Sequence, residues 1–89
     1  MAEVIFTANI QRFVECPHAY SDGHDVRTVL DDIFRENPRA RSYILDDQGA
    51  LRKHIAVFVN GRLVRDRTTL SERVPQDSRV YVMQALSGG

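Results

Sequence analysis

The residues best suited to chemistry stand at the end of the sequence, at Gly88 and Gly89. Glycine has no Cβ, so it adopts extended or positive-φ conformations that other residues avoid and can enter a narrow channel. Ser87 is also small and lengthens this slender segment. A side chain at position 89 would crowd a nucleophile approaching the terminal carbonyl. The pattern predicts that Gly89 is modified by another protein, with Ser87 and Gly88 as a flexible tail.

The rest of the chain offers little to catalyse such a reaction. It has no glycine-rich phosphate loop followed by lysine, so any ATP would have to be bound by a partner. Cys16 and His18 lie two positions apart with His24 nearby, but this spacing supplies no third group for a metal or nucleophile site. We therefore expect no catalytic residue, no metal and no bound cofactor. Lys53 is the single lysine and the one side-chain amine that could accept an acyl group.

Composition indicates one small globular domain. The chain has 89 residues, of which 43% are hydrophobic and 27% charged. Its 12 basic and 12 acidic residues cancel, whereas nucleic-acid binders usually carry a basic excess. No apolar run approaches the ~20 residues that span a membrane, and the first residues lack a signal-peptide layout. We expect a cytoplasmic protein with neither nucleic acid nor membrane as a partner.

Two strands and a helix are predicted in the first half. Residues 4–10 are rich in β-branched and aromatic side chains, and residues 18–21 favour a short second strand. Asp25 is a good N-cap, and apolar residues follow at helical spacing to Phe34. Asn37 and Pro38 end this helix, because the residue before proline avoids the helical region. One further helical turn is expected over residues 39–43.

The second half favours strands. Residues 46–49 form a turn, with short flanking strands expected at residues 43–45 and from Leu51. Residues 55–59 give the strongest strand signal and are apolar on both faces, which predicts a central position. The dipeptide Asn60-Gly61 is typical of a tight hairpin that returns at residues 63–64. A compact connection follows over residues 69–75, and residues 79–84 form the last strand.

A single long helix must bury its apolar stripe against one mixed sheet, which predicts a two-layer α+β domain over residues 1–86 and a tail at 87–89. This layout, with the Asn60-Gly61 hairpin, the last strand and the terminal Gly88-Gly89, resembles the ubiquitin-like β-grasp fold. More narrowly, the chain resembles the MoaD/ThiS-like sulfur carriers. These include the small subunit of molybdopterin synthase and the carriers of thiamine and cysteine biosynthesis.

The resemblance implies a carrier that is a substrate and not an enzyme. In that family a ubiquitin-activating-type enzyme, using ATP and magnesium, adenylates the terminal glycine, which is here Gly89. The adenylate becomes a thiocarboxylate, and its sulfur passes to a synthase of cofactor or cysteine biosynthesis. A zinc metalloprotease that processes the tail is a further implied partner. Two alternatives stay open: a ubiquitin-like modifier conjugated through Gly89 to target lysines, and a plain β-grasp binding module.

Strand alternation predicts a docking surface. It places Val80 and Val82 on one face of the last strand and their neighbours on the other, with the same division in residues 55–59. One set packs on the helix, and the other forms a partly exposed apolar patch of the kind that binds partners. We assign this role to Phe58, Tyr81, Met83 and Leu86. Arg62, Arg65 and Arg67 are expected to be a solvated hairpin face, with contact to an acidic enzyme as the alternative.

Overall fold

The computed structural model describes residues 1–7, 10 and 18–84. The predictions made for Cys16, Leu86, Ser87, Gly88 and Gly89, and for a boundary between residues 86 and 87, lie outside these residues. The described chain forms five strands and two helices: β1 (Ala2–Phe6), β2 (His18–Ser21), α1 (Val26–Glu36), α2 (Pro38–Ile44), β3 (Ile55–Val59), β4 (Arg62–Leu63) and β5 (Arg79–Gln84).

The strands form one sheet in the order β2-β1-β5-β3-β4. β1 and β5 run parallel, and the other neighbouring strands are antiparallel. The expected two-layer α+β architecture is confirmed, because the buried residues of both helices and of the sheet belong to one core cluster. Residues 55–59 lie inside the sheet, as expected: β3 has β5 on one side and β4 on the other, and β5 is the middle strand. The outward side chains of β3 are half-buried, because among the described residues no second layer covers them.

Helix α1 begins and ends where the sequence predicts. The Asp25 carboxylate accepts a hydrogen bond from the backbone N–H of Thr28 at 2.7 Å, so Asp25 is the N-cap. The buried side chains of α1 follow the expected spacing and are Val26, Val29, Leu30, Ile33 and Phe34. Pro38 then occupies the first turn of α2, where its missing N–H costs little. Within the part of the chain that the structure describes, neither helix is long and apolar enough to cross a membrane.

Three strand predictions differ from the structure. Tyr43 and Ile44 belong to α2, because Ile44 is buried in the core and this packing overrides the strand preference of the Tyr-Ile-Leu sequence. Of the flanking strands expected there, the structure has only an isolated bridge between Leu45 and Leu51. The first strand spans Ala2–Phe6 and does not reach Ile10, whose N–H bonds to the Thr7 carbonyl at 2.9 Å.

The predicted hairpin is confirmed. Asn60 and Gly61 have φ angles of 51° and 84°, the left-handed values that a two-residue turn requires. Their geometry pairs Val59 with Arg62. The Asn60 side chain also accepts a hydrogen bond from the Arg79 N–H at 2.9 Å, so the turn is tied to the start of β5.

The loop over residues 66–71 is organised by one carboxylate. Asp66 accepts hydrogen bonds from the N–H groups of Thr69 and Ser71, at 3.0 and 2.9 Å, and from both of their hydroxyls. These bonds, with the Ser71 hydroxyl foremost, hold the pKa of Asp66 well below its ordinary value. The loop thereby keeps Leu70 fully buried although its φ angle is 56°.

We predict that Asp66→Asn lowers the urea midpoint of unfolding at pH 7, because several donors lose an ionised acceptor. A carboxyl whose pKa is depressed in the folded state stabilises the fold above its unfolded-state pKa, and this contribution is lost as the pH falls. The difference between the variant and the wild type should therefore shrink below about pH 4. Asp47→Asn, at an exposed turn position, is the matched control. A difference that is constant from pH 7 to pH 3 would contradict this role.

Candidate functional site

The two faces of the sheet have different environments. On β5, Val80 and Val82 are fully buried in the core, whereas Tyr81 and Met83 point away from it and are half-buried. On β3, Val57 is likewise buried beside the outward, half-buried Phe58. The predicted alternation is confirmed, because both helices contribute to a single core on one side of the sheet.

The registers of the strands line up one row of side chains across the outer face. Phe58 lies opposite Tyr81 on β5 and opposite Leu63 on β4. Tyr81 lies beside Ile5 on β1, and Ile5 lies beside His18 on β2. Opposite residues in neighbouring strands have Cβ atoms roughly 5 Å apart, so these residues form one row of neighbours across all five strands.

Most of this outer face is apolar and open. Phe58, Gly61, Tyr81 and Met83 line a shallow hollow of about 300 Å³. A Cβ placed at Gly61 would meet no atom within 4 Å, so this edge of the hollow is open to water. At 45%, Leu63 is one of the most exposed large apolar side chains described. We call the following six residues the apolar patch: Ile5, Ala56, Phe58, Leu63, Tyr81 and Met83.

The other end of the outer face is charged. Glu3 lies beside Arg79 and Tyr20 in the strand registers. Its carboxylate is 3.0 Å from His18 Nδ1 and 3.8 Å from Arg79 Nε. Arg79 begins β5 and Met83 lies near its end, so the apolar patch occupies the half of the face toward the carboxyl end of β5. That is the end from which the chain continues to Gly89.

The structure brings together three of the four residues assigned to partner binding. Phe58, Tyr81 and Met83 line the same hollow, while Leu86 lies outside the described residues. Of the other three patch residues, Ala56 was expected on the face of Phe58 but was not assigned to the site, and sequence reasoning missed Leu63 and Ile5. A two-residue hairpin at positions 60–61 necessarily places Leu63 opposite Phe58, so this signal was available. The place of Ile5 required the parallel register between β1 and β5, which no local pattern specifies.

The three hairpin arginines are not one surface. Arg62 and Arg65 are exposed, as a solvated hairpin face would have them. Arg67 is half-buried, and its guanidinium donates to the Arg52 carbonyl at 2.7 Å. The carboxylate between them, Asp66, is engaged by its own loop. This segment is therefore partly structural.

No metal centre is evident in the described part of the chain, which contains no group of three or more His, Cys, Asp or Glu residues that could hold an ion. His18 contacts the Glu3 carboxylate, and the ring of His54 lies 5.6 Å from that of Tyr43. Cys16 is outside the described residues, so its role stays a prediction.

The end of β5 is held from two sides. Gln84, its last residue, pairs with Ile55 at the start of β3. The Gln84 side-chain oxygen accepts a hydrogen bond from the Tyr43 hydroxyl of α2 at 2.8 Å. The point from which the chain runs on toward Gly89 is thus tied both to the sheet and to a helix.

The chain is similar in sequence and in fold to known proteins. The model of the ThiS family matches residues 4–89. Comparison with curated proteins gives no match. A chain of the Amycolatopsis orientalis BexX/CysO complex is similar over 100% of both chains, with a TM-score of 0.83 and 19% identity. SAMP1 from Haloferax volcanii has a TM-score of 0.78 and 24% identity, and the match covers 99% of this chain and 98% of that chain.

A third solved structure, CysO from Mycobacterium tuberculosis, has a TM-score of 0.81 at 16% identity and matches over 97% of this chain and 100% of that chain. At these identities the structural likeness concerns the fold. It confirms the expected ubiquitin-like β-grasp architecture, a mixed sheet with its helices on one face.

The two faces can be distinguished by matched leucine substitutions. Leu30→Ala removes a fully buried side chain and should lower the free energy of unfolding by about 3 kcal/mol. Leu63→Ala removes a side chain that is already 45% exposed and should cost less than about 1 kcal/mol. Urea denaturation of the two variants measures the difference. Equal costs would mean that the outer face is as much a core as the inner one.

Proposed function

The chain belongs to the ThiS family, and from this premise we propose that it is a sulfur carrier that acts through Gly89. The observation that carries the proposal is the extent of the family match, which runs to residue 89 and so includes Gly88 and Gly89. Glycines at these positions suit a segment that enters a partner's narrow active site. The folded domain supplies the surface by which the partner recognises and orients that segment.

The proposed chemistry occurs in the active site of an adenylating enzyme of the ubiquitin-activating type. A Gly89 carboxylate oxygen attacks the α-phosphorus of ATP, and pyrophosphate leaves with its magnesium. A sulfide-equivalent nucleophile supplied by a partner then attacks the glycyl carbonyl carbon. The C–S bond forms as the bond to AMP breaks, and AMP leaves with the bonding electrons. The chain itself supplies the acyl group and no catalytic residue.

The geometry of the outer face supports docking of that enzyme. The apolar patch contains two aromatic rings, Phe58 and Tyr81, which are residue types that contribute strongly to interfaces. It extends from the middle of β5 to Met83, next to the last residue of the strand, so a partner seated on it is close to the point where the chain continues toward Gly89. Binding energy gained on the patch can then orient Gly89, although the patch does not react.

The same arrangement suits the second partner, a sulfur-accepting synthase that must also receive the tail. For Amycolatopsis orientalis, the solved structure is named as a complex of CysO with BexX, which motivates a stable partner for this chain as well. Because both partners must approach the same end of β5, we expect them to bind one at a time. A zinc metalloprotease that processes the tail would need access to the same end of β5.

The test is an intact-mass measurement of this chain after incubation with its adenylating enzyme, MgATP and a sulfur donor. Exchange of one carboxylate oxygen for sulfur adds about 16 Da, as the thiol chemistry requires. The variant that lacks Gly89 is the matched control, since it keeps the folded domain and the apolar patch. We expect the mass increase in the wild type and not in this variant.

Other outcomes favour the alternatives. Higher-mass adducts between the chain and lysines of other proteins, again dependent on Gly89, would indicate a ubiquitin-like modifier. Full cellular function of the variant without Gly89 would contradict both tail-dependent functions. It would leave a β-grasp module that acts through its outer face alone.

A further inference from the structure

Tyr43 lies where it can control the tail without being part of it. Its hydroxyl donates a hydrogen bond to the Gln84 side-chain oxygen at 2.8 Å in a half-buried setting. The two residues are 41 positions apart, so this contact joins helix α2 to the end of the central strand. Gln84 directly precedes the five residues 85–89 that end in Gly88-Gly89.

The tyrosine is itself firmly placed. The next residue along α2, Ile44, is buried in the core. Arg52 donates hydrogen bonds to the residues on either side of Tyr43. The Arg52 guanidinium donates to the Ser42 carbonyl at 2.7 Å, and the Arg52 N–H donates to the Ile44 carbonyl at 3.0 Å. His54 packs against the Tyr43 ring edge to face, at an interplanar angle of 74°. Because the Tyr43 side chain is fixed by these contacts, it can restrict the motion of the Gln84 side chain.

We propose that Tyr43 is a positioning residue for the carrier reaction, which fixes the direction in which the chain leaves β5. The inference rests on the proposed function and adds a residue to it. Five extended residues span at most about 17 Å. A change in backbone direction at Gln84 redirects the start of this segment, whereas efficient reaction tolerates a misplacement of only about 1 Å. Anchoring Gln84 limits that change before the partner binds.

The experiment measures kcat and KM for ATP–pyrophosphate exchange by the adenylating enzyme, with variants of this chain as the substrate. Tyr43→Phe keeps the ring and removes only the donated hydrogen bond. We expect kcat to fall about fivefold, the effect of one hydrogen bond, with KM unchanged because the apolar patch is intact. Gln84→Met, which lacks the acceptor oxygen, should give the same loss, and the double variant should add little to it.

Two controls separate positioning from structure. Gln84→Glu keeps an acceptor oxygen at the same distance along the side chain and should retain the wild-type kcat. Tyr20→Phe removes a hydroxyl from a tyrosine that is 60% exposed on β2 and should change nothing. A purely structural Tyr43 would lower the melting temperature and leave kcat unchanged well below it. An unchanged kcat in Tyr43→Phe would therefore overturn the inference.

A measurement without the enzyme keeps this inference distinct from the proposed function. The NMR order parameter of the Gln84 amide in the free chain should fall in Tyr43→Phe and stay at the wild-type value in Tyr20→Phe. No change at Gln84 would refute the anchoring role, whatever the enzyme does. Failure of the wild-type chain to support exchange would contradict the proposed function, while a fall at Gln84 would still support the anchoring role.

Discussion

The described structure depends on one constraint: a single layer of helices covers one face of a five-stranded sheet. Every strand therefore divides its side chains between two environments, since successive residues point to opposite faces. On β5 this division is sharp, with Val80 and Val82 fully buried and Tyr81 between them directed away from the core. A second layer would have made both faces core, and the chain would then have no broad apolar surface to offer a partner.

This constraint links stability to function through the central strand. β5 contributes core residues to one face and patch residues to the other, and the tail continues from its end. It is flanked by β1 and β3, so its position is fixed on both sides. A partner that binds the outer face and a tail that leaves from Gln84 are therefore in a defined geometric relation. The hydrogen bond from the Tyr43 hydroxyl also holds Gln84, the last residue of the strand.

Much of this could be predicted from the sequence, because local chemistry determined it. The boundaries of α1 follow from the Asp25 cap and from Pro38, and the hairpin follows from Asn60-Gly61. The bounds of β5 and the membership of Phe58, Tyr81 and Met83 in one patch follow from alternation. The features that sequence reasoning missed are determined by packing between residues far apart in the sequence. Core burial made residues 43–44 helical, and the parallel pairing of β1 with β5 placed Ile5 in the apolar patch.

The hydrogen bond between Tyr43 and Gln84 could not have been found from the sequence, since the two residues are separated by 41 positions and neither is unusual in its local context. The position of Leu63 could have been predicted, because the hairpin specifies its register with Phe58. The residues that do the proposed chemistry show the opposite pattern. Gly88 and Gly89 were evident from the sequence and lie beyond the described structure, so their proposed role rests on the family match.

The most direct test of the account is an NMR footprint of the adenylating enzyme on the isotope-labelled chain. The amide signals of Ala56, Phe58, Leu63 and Tyr81 on the outer face should broaden or shift on addition of the enzyme. Those of the exposed helix residues Asp31, Arg35 and Arg39 should remain unchanged. A footprint on the helices, with the outer face unaffected, would contradict the claim that the uncovered face of the sheet is the partner-binding surface.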